Sequence, residues 1–134
     1  MANAKATSGP VGDRNVRTYR AEGGALAHRL AVMQGTEDDQ AKAVTGPDVR
    51  CVGVVAQFAA ADEAGRLASV VQFGETIAIA GAPITPNVPV NVDGNGKLIP
   101  AMGTDANFVG ISRSTADADT DEFVVFVNLQ PKRS

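Results

Sequence analysis

Apolar residues in this chain come in short runs, and a turn-forming cluster ends each run. "ALAHRLAVM" (25–33) gives way to "TEDDQ" (36–40), and "AKAV" (41–44) to "GPD" (46–48). "VRCVGVVAQF" (49–58) leads into "AAADEAGRLA" (59–68), and "SVVQFGETIAIA" (69–80) into "GAPITPN" (81–87). "VPVNV" (88–92), "KLIPA" (97–101), "FVGIS" (108–112) and "FVVFVNL" (123–129) complete the series. β-branched runs of this length, bounded by Gly, Pro, Asn and Asp, read as strands. No stretch carries a sustained 3.6-residue period, so a helical bundle is excluded. The expectation is an all-β chain, a small barrel-like or sandwich-like domain of short strands. Residues 59–68 are compatible with a loop or a single helical turn. Gly74 marks a bulge or bend within its strand.

Two stretches of the chain resemble each other. "CVGVV" (51–55) matches "FVGIS" (108–112), and each is followed by an Ala- and acid-rich loop and a Val-rich strand ("SVVQF", "FVVFV"). Upstream, "LAVM…AKAV" matches "VNV…KLIP" at a similar offset. This predicts one β domain over 23–134, with two related β units at about 25–80 and 81–130. Chance similarity between strands is the alternative. Residues 1–22 lack an apolar period and read as an extended N-terminal arm.

Charge divides the chain in the same place. Residues 1–20 hold Lys5, Arg14, Arg17 and Arg20 against Asp13, while the rest is acidic and brings the whole to −3. A basic arm on an acidic body seeks an acidic surface, of phosphate or of protein. A solvated tail is the plain alternative. Arg14, Arg17, Tyr19 and Arg20 are the candidate contact residues. Aromatics are too few to interleave with basic residues elsewhere, so nucleic-acid binding ranks below protein binding. Aromatics make up 4% and Trp is absent. The core is therefore thin and rich in Ala and Val, and a partner surface is expected to complete the burial.

Several kinds of site chemistry fall away. "NVDGNG" (91–96) spaces oxygen-bearing side chains like the start of a calcium loop, but an EF-hand needs an acid at its first and twelfth positions. Here those are Asn91 and Met102. Asp-Gly and Asn-Gly fit a hairpin turn instead. "DADTDE" (117–122) has Glu122 where such a loop needs glycine. Cys51 is the one cysteine and His28 the one histidine. That rules out an intrachain disulfide, and one residue of each kind makes no usual zinc site. A Cys51–His28 nucleophilic pair is conceivable, but a cysteine within an apolar strand is usually inert packing. No nucleophile elbow, phosphate loop or dinucleotide motif occurs. No enzyme activity, metal or cofactor is expected. With no signal-like apolar segment and no spanning run, the expectation is a chain made in the cytosol, with no membrane partner.

The order of motifs carries a resemblance. A "VG" step in a Val-rich strand precedes "ETIAIAGAPITPNVPVNVDGNGKLIPA", and "FVGISRSTADADTDEFVVFVNL" closes the chain. Over roughly residues 23–130 this resembles the capsid cement, or head decoration, proteins of tailed bacteriophages. Pro89 and Asn91 stand where that hairpin usually has Asp and an aromatic. The resemblance implies a structural β-barrel-like protein of the virion. It would bind the outer surface of an assembled head as a homotrimer or other homo-oligomer and fasten major capsid protein subunits together. The basic arm would contact the shell or sister subunits. The alternative is a small ligand- or carbohydrate-binding accessory domain, disfavoured by the scarcity of aromatics.

Overall fold

The computed structural model describes residues 15–23, 26–58 and 67–131, and no helix occurs among them. Among the described residues nine strands form: β1 (Asn15–Ala21), β2 (Ala31–Gln34), β3 (Gln40–Ala43), β4 (Cys51–Phe58), β5 (Leu67–Ile79), β6 (Pro89–Val92), β7 (Leu98–Pro100), β8 (Asn107–Ser112) and β9 (Glu122–Pro131). The first five close into a mixed barrel of order β1-β3-β2-β4-β5, with β5 returning to β1. Only β1–β3 is parallel among these pairs. The other four strands continue the sheet from β5 in the order β9-β8-β6-β7.

The long strand β5 joins the two parts. Residues 67–73 pair with β1 and residues 73–79 pair with β9. Against β1 the register slips, because Asn15 faces Phe73 while Val16 faces Val71. Gln72 is thus the extra residue of a bulge, and Gly74, at φ +110°, follows two residues on. The disturbance expected at Gly74 is therefore spread over 72–74, where β5 changes partner.

The connectivity of the barrel recurs in the added strands. In the barrel the order β3-β2-β4-β5 places the first strand of a hairpin against β4, and β4 against β5. The added strands repeat this as β7-β6-β8-β9. The position of β1 is taken there by the C-terminal half of β5. That half runs antiparallel to β9 and meets β7 in a parallel bridge, Ala80 to Leu98. Two glycines hold equivalent positions. A Cβ at Gly53 would run into the carbonyl of Val71, and one at Gly110 into that of Phe126. Each lets two strands approach more closely than a side chain permits.

Burial follows from this layout. Tyr19, Leu26, Val32, Val55 and Val70 fill the barrel. Cys51, Val54 and Val71 belong to a second cluster, with Val90, Val92, Leu98, Val109, Phe123, Val125 and Val127. The strands β4 and β5 are thus buried on both faces near their middle. That is why "CVGVV" and "SVVQF" read as continuous apolar runs rather than alternating ones.

Two expectations need correction. The strand expected over 25–33 is confined to Ala31 and beyond. Arg29, at φ +68°, turns the chain, and the Arg29 N–H donates to the Val55 carbonyl at 2.7 Å. Leu26 enters the barrel core, 1% exposed, from this turn. Residues 15–21, read above as part of the arm, are barrel wall. Tyr19 and Ala21 alternate inward, while the two arginines of the segment, Arg17 and Arg20, hide that period in the sequence. Residues 1–14 and 59–66 lie outside the described residues.

Candidate functional site

The candidate contact residues cluster on β1, but each described member already has a structural partner. Arg14 lies outside the described residues. Tyr19 is 1% exposed, and its hydroxyl accepts a 3.0 Å hydrogen bond from Gln72 Nε2. The guanidinium of Arg17 sits 4.8 Å from the centre of the Tyr19 ring, and its Nη2 donates to the Asp38 carbonyl at 3.0 Å. Arg20 grips Asp39 with two contacts, at 2.7 and 3.0 Å. This fork-on-carboxylate geometry raises the Arg20 pKa and lowers that of Asp39, hydrogen bonding being the first cause in both. The backbone joins in, with Arg20 N–H donating to the Asp39 carbonyl. The basic pattern on β1 therefore pins the strand to the acidic 36–40 turn. Arg17 keeps an exposed flank.

A different surface stands open. On the outer face of β5, β9, β8 and β6, one row of register partners reads Glu75, Phe126, Ile111, Pro89. Phe73, on the same side of β5, meets Phe126 edge to face with ring centres 5.1 Å apart. The Ala101 N–H donates to the Pro89 carbonyl at the end of the row, and Met102 follows Ala101 in the chain. Phe73, Ile111 and Met102 are 42%, 39% and 61% exposed. The outward side of an antiparallel sheet is ordinarily polar. This one is apolar across four strands, and such a patch marks a contact surface. Its charged members neutralise one another. Arg113 lies over the Phe126 ring at 5.1 Å and reaches Glu75 at 3.6 Å.

The groups singled out for chemistry are placed apart. Cys51 is buried in β4, and burial pushes its thiol up to about 12. His28 is exposed in the turn beside Arg29, whose backbone bonds Val55. Val55 is four residues along an extended strand from Cys51, about 13 Å. The pair is not brought together. "NVDGNG" forms a turn built on one side chain: Asp93 Oδ1 accepts from the Asn95 and Lys97 N–H groups at 2.8 and 3.0 Å. Asn91 points inward instead, 1% exposed, and donates to Asp48. The tip packs on its own chain, since the Gly96 carbonyl accepts from Ala31. In the acidic loop, Asp121 accepts from the Asp117 and Ala118 N–H groups, and Asp119 pairs with Lys97. No group of three or more His, Cys, Asp or Glu arranged for a metal occurs among the described residues. A cleft of about 520 Å³ opens between the barrel and the added strands, with Met33, Cys51, Val52, Phe108 and Leu129 in its wall and Arg50 exposed beside them.

Asp48 was legible in the sequence only as the end of a turn. In the structure its side chain accepts from Asn91 Nδ2 and from the N–H groups of Ala106 and Asn107, all at 2.8–3.0 Å. These bonds, led by that from Ala106, hold its carboxyl below the usual carboxylate range. One residue thus ties the barrel to β6 and β8.

No family model and no curated protein matches this chain. Among solved structures it is similar to the N base of the head fiber gp8.5 of bacteriophage phi29. The TM-score is 0.62 and the identity 17%, over 91% of this chain and 100% of that one. The fold is therefore shared along nearly the whole chain.

Proposed function

We propose that this protein is a non-enzymatic structural component of a phage head. In this reading it binds the outer surface of the assembled shell and stabilises contacts between major capsid protein subunits. The observation that carries the reading is the fold shared, over 91% of this chain, with the N base of a phage head fiber. Two features of the chain support it. An apolar face stands open on the sheet. The small Ala/Val core gains stability when a partner surface adds to the buried area. A homotrimer or another homo-oligomer on the shell, exposed on the virion surface, belongs to the same reading. So does a contact made by the basic N-terminal segment, through Arg14 and the exposed flank of Arg17. Tyr19 and Arg20 would serve that contact indirectly, by fixing β1. We also read the chain as a single β domain of two related units that share β5, and the recurring strand order supports this.

The test is to mix the purified protein with undecorated heads. Saturable, stoichiometric binding and a higher melting temperature of the heads are expected. Failure to bind any phage shell would sink the reading.

A further inference from the structure

We propose that Asn95 is a site of spontaneous deamidation in the folded protein, and that its isoaspartyl product releases the β6–β7 hairpin tip from the barrel. The chain holds a single Asn-Gly step, Asn95–Gly96, and it lies at this tip. In the reaction the backbone nitrogen of the following residue must reach the side-chain amide carbon. Glycine carries no side chain to obstruct that approach. Asn15, Asn87 and Asn91 are followed by valine, Asn107 by phenylalanine and Asn128 by leucine. The fold adds to this contrast. Asn95 is exposed in the turn. Its backbone N–H is held by Asp93 Oδ1 at 2.8 Å. Neither its side-chain amide nor the Gly96 N–H has a hydrogen-bond partner among the described residues, so no such bond has to break before the two meet. The Asn91 amide, by comparison, is fixed between Asp48 and the Val92 N–H, and the Asn107 amide is bound to the Asp48 carbonyl. The adjoining Asp93–Gly94 step is held back as well. Asp93 Oδ1 accepts two N–H groups, and an ionised carboxylate is a poor electrophile.

The reaction needs only water. Solvent base takes the Gly96 N–H proton, and the nitrogen forms a bond to Asn95 Cγ. The amide nitrogen takes up a proton and leaves as ammonia, which closes a succinimide ring. Water then opens the ring at either carbonyl. Opening at the side-chain carbonyl gives aspartate on the original backbone. Opening at the main-chain carbonyl gives isoaspartate, whose backbone runs through the side-chain carbons and is one atom longer. The aspartyl product adds a negative charge and keeps the turn. The isoaspartyl product cannot keep it, because Gly96 is tightly seated. Its carbonyl accepts from the Ala31 N–H at 2.8 Å. A Cβ on Gly96 would stand 3.0 Å from the Ala31 carbonyl and 3.2 Å from Leu30 Cβ. An extra main-chain atom just before Gly96 displaces it from this contact. It also separates the Asn95 and Lys97 N–H groups that Asp93 now holds together.

The experiment is to incubate the full chain in mildly alkaline buffer at physiological temperature and to map its peptides by mass spectrometry over time. The peptide carrying Asn95 is expected to gain the amide-to-acid mass difference at least about tenfold faster than those carrying Asn15, Asn87, Asn91, Asn107 or Asn128. An isoaspartyl-specific methyltransferase is expected to label the same peptide. Asn95→Gln is expected to lose both signals, because its longer side chain closes a ring far more slowly. Circular dichroism confirms that this variant is folded. The two aged products are then separated by chromatography and melted. The isoaspartyl form is expected to melt at a lower temperature than the fresh protein. The aspartyl form, matched by Asn95→Asp, is expected to melt close to it. A mass gain no faster at Asn95 than at the other asparagines overturns the proposal, as does a label that persists in the Asn95→Gln chain. An isoaspartyl form that melts with the fresh protein overturns the release of the tip. Shell binding is read on fresh protein, so its outcome is separate.

Discussion

Asp48 and Asn107, far apart in sequence, hold each other by two hydrogen bonds. The Asn107 N–H donates to Asp48 Oδ1 at 3.0 Å, and Asn107 Nδ2 donates to the Asp48 carbonyl at 2.9 Å. With Asn91 and Ala106 on the same carboxylate, this is the polar joint between the barrel and the added strands. Because its acceptors face only N–H donors, the joint works with the ionised carboxylate and is weakened by its protonation.

A pH-dependent stability follows for Asp48. Its folded pKa is depressed below the unfolded value of about 3.9. Its contribution is therefore fully present above about pH 4 and is lost as pH falls through the lower, folded value. Asp48→Asn is expected to lower the melting temperature at neutral pH, because an amide cannot accept at both atoms. The gap between variant and wild type is expected to narrow steadily below about pH 4. Thermal melts by circular dichroism across an acid series check both statements. A gap independent of pH would mean that the carboxylate charge plays no part.

The two glycines of the "VG" steps make a second test. Gly110→Ala would push a methyl group into the backbone carbonyl of Phe126, which cannot move without breaking the β8–β9 ladder. Overpacking of this kind costs about 1–3 kcal/mol. Gly53→Ala meets the Val71 carbonyl and also strains a residue at φ +151°, so it should cost at least as much. Gly46→Ala is the control. Nothing lies within 4 Å of the added methyl, and a change within about 0.5 kcal/mol is expected. Urea denaturation of the three variants ranks them.

Much of the fold was legible because strands in a two-sided core announce themselves. "CVGVV" and "FVVFV" are apolar at nearly every position, and the Asp-Gly-Asn-Gly turn between β6 and β7 has its own chemistry. β1 was not legible. Its inward period rests on Tyr19 and Ala21 alone, and the arginines around them point to solvent in any sequence reading. The apolar row was hidden for the opposite reason. Phe126 and Ile111 stand in runs where every residue is apolar, and only the register tells that they face out while Val125 and Val127 face in. Asp48 could not be read at all as a joint, since its partners come from two distant parts of the chain, at Asn91 and at Ala106–Asn107.

Cys51 offers a check on burial. With its pKa pushed up to about 12, the thiolate fraction at pH 8 is on the order of one in ten thousand. Modification by iodoacetamide is expected to be very slow in the native state and to become fast in urea. Labelling followed by mass spectrometry measures both rates. A rate in buffer equal to that of the unfolded chain would show that the thiol is accessible. Cys51→Ser is expected to leave head binding unchanged.

Truncation separates the two roles of the N-terminal region. Removing residues 1–14 leaves β1 whole, and with it the Tyr19–Gln72 bond and the Arg20–Asp39 pair. The melting temperature should then change little, while the basic charge carried by Lys5 and Arg14 is lost. Removing residues 1–21 also deletes the strand that closes the barrel between β3 and β5. The edges of both strands would be left open, and the cavity left by Tyr19 alone, at about 3–5 kcal/mol for loss of a buried aromatic, is a large share of what a domain this size has. The longer truncation should therefore lose its cooperative melt, and the shorter one should keep it. Head binding is then read only on the shorter form. Weaker binding there assigns the contact to residues 1–14. Unchanged binding moves the contact to the folded body, because the truncated form differs from the whole chain in nothing else.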